Sequence, residues 1–189
     1  MAGPPAVRGL VCVAFACAAV AVGAPSRPSC GTASPANAVA LAEALRPRGA
    51  PLLVHVWASW CRPCVAEWPS LAEFLRGLEG RGVRLVTLSL DDESGAAAAG
   101  RVLHRAGAPG CGLRADADEA APALRALDPD WDGALPTTFV LDATGRLVVA
   151  QRGATDTGGL REALDRAVVP RPDPAAATAR RPTEGRSHE

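Results

Sequence analysis

An α/β fold, a mixed central sheet flanked by helices on both faces, is what this sequence predicts. Three observations predict it. Apolar runs of strand length alternate with stretches of helical period through the first two thirds of the chain. Two short apolar runs flank Asp142-Ala143-Thr144-Gly145, which reads as a late β-hairpin turning at the glycine. The chain has 189 residues, 48% of them apolar, enough to bury one domain-sized core and too apolar for wholesale disorder. Twenty basic and twenty acidic side chains balance to a formal charge of zero, which argues against a nucleic-acid binder.

Residues 25–34 are rich in Pro, Ser and Gly and read as a linker, so the domain is expected over 35–169. Residues 37–45 have the apolar spacing of a short helix that Pro47 stops. Residues 52–58 are a continuous apolar run broken only by His55, the pattern of a buried strand. Over 62–78, Val65, Trp68, Leu71, Leu75 and Leu78 recur on one helical face, with Gly80 and Gly82 beyond. Residues 83–90 alternate toward a second buried strand. The acidic run Asp91-Asp92-Glu93 after it reads as a solvated cluster at a helix start. Residues 94–106 are Ala-rich and helical, with Ser94 as the expected cap. A turn over 107–112 leads to a short extended piece at 113–115, then a helix over 119–127. The hairpin strands cover 137–141 and 146–151. Leu160, Ala163, Leu164 and Val168 mark a last amphipathic helix over 157–168. From residue 170 the chain is Pro-, Ala- and Arg-rich without apolar period, and the tail 170–189 is expected to be disordered.

The first 24 residues read as an export signal. Arg8 supplies the basic start, residues 10–22 are an unbroken run of apolar and small side chains, and cleavage is expected after Ala24. That run is about 13 residues, against about 20 for a bilayer span; an uncleaved membrane anchor is the alternative. The expected location is the periplasm or another exported compartment. Cys12 and Cys17 lie within the leader, which leaves Cys30, Cys61, Cys64 and Cys111 in an oxidising environment. Cys61 and Cys64 are the natural pair. Cys30 and Cys111 stand open between a structural disulfide, two unrelated free thiols and a second redox relay.

The stretch that carries chemistry is His55-Val56-Trp57-Ala58-Ser59-Trp60-Cys61-Arg62-Pro63-Cys64. A buried strand runs into a C-x-x-C at the start of a helix. There, unpaired backbone N–H groups and the helix dipole favour thiolate over thiol. A free cysteine titrates near about 8.5, and such positions reach about 3.5–7.5. Arg62 adds positive charge, and Pro63 fixes φ in a first turn where no N–H is needed. Cys64 falls about one turn further in, less exposed and close enough to attack a mixed disulfide.

These residues resemble the thioredoxin superfamily. Within it, Trp60-Cys61-Arg62-Pro63-Cys64-Val65-Ala66-Glu67-Trp68-Pro69 looks like the TlpA/ResA branch of exported thiol–disulfide oxidoreductases, whose pattern is W-C-x-P-C-x-x-E-x-P. A second stretch, Leu135-Pro136-Thr137-Thr138-Phe139, resembles that family's cis-proline loop. The resemblance spans about residues 35–168 and implies a thioredoxin-like fold. It also implies disulfide exchange in the reducing direction, with Cys61 attacking and Cys64 resolving. Pro136 and Leu135 would hold substrate backbone, Trp60 would cover the cysteine pair beside Arg62 and Pro63, and Glu67 would handle a proton or tune the thiols. Trp131, just before the loop, is a candidate for lining the substrate groove or for anchoring the loop. His55 departs from the family, standing where many thioredoxins carry a buried Asp. It is read either as a proton relay for Cys64 or as a core histidine satisfied by backbone.

No organic cofactor and no metal is expected, because the two sulfurs carry the electrons. The implied partners are a protein disulfide substrate, in cytochrome c maturation or copper-centre assembly, and a membrane thiol reductant that recharges the pair. The chain is expected to act as a monomer. The competing reading is a Cu(I)-handling protein using Cys61 and Cys64, since soft thiolates suit Cu(I); no Met or His lies at ligand spacing beside them.

Overall fold

A computed structural model of the chain describes residues 33–109 and 111–168, with the side chain of Cys111 outside the description. The leader, Cys30, most of the linker and the tail 170–189 lie outside the described residues, as does the question of a Cys30–Cys111 bond.

The elements in chain order are β1 (Ala33–Pro35), α1 (Ala38–Leu45), β2 (Leu52–Trp57), α2 (Arg62–Arg76), β3 (Arg84–Ser89), α3 (Ala96–Ala106), β4 (Cys111–Arg114), α4 (Ala117–Leu127), β5 (Thr137–Leu141), β6 (Leu147–Arg152) and α5 (Thr157–Val168). Among the described residues they form one six-stranded sheet in the order β1-β4-β3-β2-β5-β6. The first four of these neighbours run parallel, and β5 and β6 are antiparallel, which is the mixed sheet expected. β2 lies near the middle and is buried at every position. That burial on both faces is why its sequence reads as a continuous apolar run rather than an alternating one. Helix α1 packs with α4 and α2 with α3, while α5 covers β5 and β6. Parallel order puts the carboxyl ends of β1, β4, β3 and β2 along one rim of the sheet, the usual place for a site in an open α/β sheet.

Four local readings need correction. The first strand begins at Ala33, inside the stretch read as linker, because β4 offers it an edge to pair with in parallel register. Helix α3 starts at Ala96 with Gly95 as its N-cap and no side-chain cap. Ser94 instead gives its hydroxyl to the Asp92 carboxylate at 2.6 Å. Helix α4 starts two residues before the predicted position, because Asp116 caps it by accepting from the Glu119 amide at 2.9 Å. Helix α2 stops at Arg76, short of Leu78, with Gly77 as its C-cap. The hairpin matches its expectation: Asp142 accepts from the amides of Thr144 and Arg146, and Gly145 takes the positive φ the turn requires.

The core beneath α2 is aromatic. Trp57 at the end of β2 meets Trp68 of α2 edge to face at 5.0 Å between ring centroids, and both are buried. Such contacts add about 0.5–1.5 kcal/mol beyond the area buried. They hold the first turns of α2 against the end of β2, which sets the position of everything between them.

Candidate active site

Cys61 is the N-cap of α2, with extended backbone. Its sulfur accepts from the Cys64 amide at 3.3 Å, so one of the otherwise unpaired donors of the helix start points at it. Cys61 and Cys64 are joined, S–S 2.02 Å and Cα–Cα 5.3 Å. Cys61 is 7% exposed and Cys64 fully buried, the asymmetry expected of an attacking and a resolving thiol. Arg62 and Pro63 are exposed in the first turn, and Trp60 beside them is 65% exposed.

The Leu135–Pro136 bond is cis, as the loop's resemblance implies. Val56 of β2 pairs with Thr137 of β5, so register brings Pro136 to the same end of the sheet as Cys61. The carbonyl of Pro136 accepts from the Gly153 amide at 2.8 Å, which ties this loop to the segment after β6. Trp131 does not line a groove. It is only 4% exposed, and the substrate-contact reading is corrected to loop anchoring. The reason lies in Asp128, whose carbonyl accepts from the Trp131 amide and whose carboxylate takes the Asp130 amide and Arg152. Those bonds turn the segment back onto the hairpin.

His55 of β2 and Glu67 of α2 come together in the interior. His55 is fully buried, its Nδ1 2.9 Å from the Thr138 hydroxyl across the β2–β5 pairing, its ring edge-on to Trp68. The alternative of a histidine satisfied by backbone falls away. Its Nε2 lies 3.5 Å from Glu67 Oε1, and neither atom has another partner. Burial pushes the His55 pKa down to about 3, so the ring is neutral and this is not an ion pair. Burial also raises the Glu67 carboxyl, while the Thr155 amide, donating to Oε2 at 2.8 Å, pulls it the other way. Glu67 follows Cys64 by three positions, on the same side of α2 as Trp68.

Asp91 was missed. The sequence reading puts it in a solvated cluster, yet its side chain is fully buried at the end of β3. It accepts from the Ser59 amide at 2.8 Å, from the Ser59 hydroxyl at 2.5 Å and from the Ser89 hydroxyl at 2.5 Å. It thereby pins the turn that carries Trp60 and Cys61. A Cβ at Gly95 would come within 2.5 Å of Asp91 Oδ1, which explains the glycine there. The only sequence signal was the serine two positions before Cys61. Asp91→Ala leaves these donors without their acceptor and is expected to lower stability by about 2–3 kcal/mol. Urea unfolding of parent and variant measures it, and an unchanged midpoint removes Asp91 from this role.

Among the described residues, no group of three or more His, Cys, Asp or Glu side chains could hold a metal ion. Nor is any described helix long and apolar enough to cross a membrane.

The chain is similar in sequence and in fold to known proteins. The "Thiol:disulfide interchange protein DsbE homolog" of Paracoccus denitrificans is 36% identical over 127 residues, 67% of this chain and 64% of that protein. The "Thiol:disulfide interchange protein HelX" of Rhodobacter capsulatus is 32% identical over 114 residues, 60% of this chain and 58% of that one. The chain therefore spans about three-fifths of the length of these relatives. Among solved structures, a thiol:disulfide interchange protein of the thioredoxin family from Chlorobium tepidum TLS superimposes with a TM-score of 0.54 at 21% identity. The match covers 76% of this chain and 99% of that one, and at this identity it speaks for the fold, which is thioredoxin-like. The AhpC/TSA family pattern matches residues 26–150, and the chain belongs to the AhpC/TSA family.

Proposed function

We propose that the protein is a thiol–disulfide oxidoreductase that reduces protein disulfides through Cys61 and Cys64. The observation that carries this reading is the Cys61–Cys64 disulfide at the start of α2, at the sheet end it shares with the cis-Pro136 loop. In the reduced protein, the Cys61 thiolate attacks one sulfur of a partner's disulfide, and the other partner sulfur leaves as thiolate. Cys64 then gives up its proton and attacks the Cys61 sulfur. The second partner sulfur leaves, and two electrons have passed to the partner. In this reading Trp60, Arg62 and Pro63, with Leu135 and cis-Pro136 from the facing loop, would border the attacked sulfur and touch the partner. No further cofactor enters this scheme.

The relatives named as thiol:disulfide interchange proteins support the same activity. We extend the reading to an exported, periplasmic protein recharged by a membrane thiol reductant. Its disulfide substrates would belong to cytochrome c maturation or copper-centre assembly.

Insulin reduction in the presence of dithiothreitol tests the activity, and equilibration of the Cys61/Cys64 couple against glutathione tests the direction. The expected results are accelerated insulin precipitation and a reducing potential, toward the thioredoxin end near about −270 mV. No insulin reduction, together with Cu(I) retained through desalting, would replace this reading with copper handling.

A further inference from the structure

The chain around the end of β6, residues 151–156, is a closed bend. Gln151 holds its two ends together. The Gln151 Oε1 accepts from the Asp156 amide at 2.8 Å, and the Nε2 donates to the Asp156 carbonyl at 3.3 Å. Gly153 turns the chain inside the bend at φ +85°, a conformation that a side chain would strain. Three hydrogen bonds leave the bend. Arg152 donates through Nη2 to the Asp128 carboxylate at 2.5 Å. The Gly153 amide donates to the Pro136 carbonyl at 2.8 Å. The Thr155 amide donates to Glu67 Oε2 at 2.8 Å. The bend therefore joins helix α2, which begins at the cysteine pair, to both ends of the loop 128–136, which carries cis-Pro136.

The loop needs such a hold. Most of its hydrogen bonds are internal or go to its own flanks. Asp128 accepts from the amides of Asp130 and Trp131, Asp132 from the Ala134 amide, and the Ala134 carbonyl from the Thr137 hydroxyl. Those bonds stiffen the loop without placing it, and Trp131 packs its middle into the core. Beyond the helix before it and the strand after it, the loop's hydrogen bonds among the described residues go only to Arg152 and Gly153. The Asp128 side chain is 8% exposed, so water competes weakly for its carboxylate. A charge-assisted bond in that setting holds better than an ion pair in open water.

We propose that the bend at 151–156 sets the spacing between the cis-Pro136 loop and the start of α2. Arg152 and Asp128 are then positioning residues for a substrate polypeptide held between loop and helix. This deepens the proposed activity and rests on it. A polypeptide must meet loop and helix together, whereas a small disulfide needs only the sulfur of Cys61. Loss of the Arg152–Asp128 pair frees the first half of the loop and leaves the cysteine pair in place. Polypeptide binding should weaken while exchange at Cys61 continues. A misplacement of about 1 Å can cost about 100-fold, and with the Gly153 bond still holding the other end of the loop about tenfold is expected.

The test compares two substrates, insulin over a range of concentrations and glutathione disulfide, for the parent protein and its variants. In Arg152→Ala the KM for insulin should rise about tenfold with kcat within about twofold of the parent, and the rate with glutathione disulfide should stay within about twofold. Asp128→Asn keeps an acceptor for the Asp130 amide and removes only the charge, so it gives the same reading with less risk to folding. The double variant should match the worse single rather than the product of the two, because both break one pair. Arg152→Lys, which keeps a positive charge within reach of the carboxylate, should remain within about threefold of the parent. Unchanged insulin kinetics in both single variants overturn the proposal. So does an equal slowing with insulin and glutathione disulfide, which would place the effect on the cysteines or the whole fold. A parent that reduces insulin while its variants match it sinks the spacer alone, and a parent that reduces neither substrate sinks the proposed activity.

Discussion

Cys64→Ser leaves the protein joined to its partner. Cys61 still attacks, but no thiol stands behind it to release the mixed disulfide, so one partner chain stays bound per molecule. Turnover is expected to fall by more than about 10³-fold, because an oriented intramolecular group outcompetes millimolar external thiol by at least that factor. Mass spectrometry under non-reducing conditions should find the adduct on Cys61, and dithiothreitol should remove it. Cys61→Ser should form no adduct. The reason for the difference is burial: Cys61 is 7% exposed at the N-cap, while Cys64 is sealed beneath it. A Cys64→Ser protein that turns over at the parent rate, or an adduct that forms on Cys64, would refute the assignment of roles.

Acid is expected to unfold the domain through His55. Its folded pKa, about 3, lies below the ordinary value of 6.5 because the buried ring cannot be solvated as a cation. The unfolded chain therefore binds this proton more readily than the folded one. The stability concerned is intact above pH 6.5 and is lost as the pH falls, until the folded ring itself protonates. By pH 4.5 the loss is about 2–3 kcal/mol, and it reaches about 4 kcal/mol near pH 3. That is comparable to the whole stability of many domains. Glu67 acts oppositely: with its pKa raised, its contribution is full at low pH and lost as the pH rises through the folded value. Urea unfolding at pH 7 and pH 4.5 measures the sum. His55→Asn should be much less sensitive to acid over this window, and equal losses in parent and variant would show that His55 is not the cause.

The parts legible in the sequence were those that depend on near neighbours. The apolar run of β2, the turn at Trp60-Cys61, the helical spacing from Arg62 onward and the glycine of the β5–β6 hairpin are each encoded within a dozen residues. For that reason the strand, the C-x-x-C helix start and the hairpin are where the sequence puts them. The errors came where a local pattern admits two answers. Asp91 looks like part of a solvated acidic run until Ser59, thirty-two positions away, comes to meet it. Ser94 is a good cap by type, yet its hydroxyl goes to Asp92 and Gly95 stands at the cap. Trp131 sits in a polar loop, and only the Asp128 contacts turn it inward.

The sequence by itself therefore determined which sulfur begins a helix and which strand leads into it, since both follow from the order of apolar and polar residues along a few turns. The partners of His55 were decided by tertiary structure alone. Glu67 reaches it from α2 and Thr138 from a strand eighty-three positions later. Thr155, eighty-eight positions beyond Glu67, completes the cluster. The physical reason is that spacing along a chain fixes the direction of a side chain within its own element. The dielectric and the donors it meets are set by whichever elements pack against it.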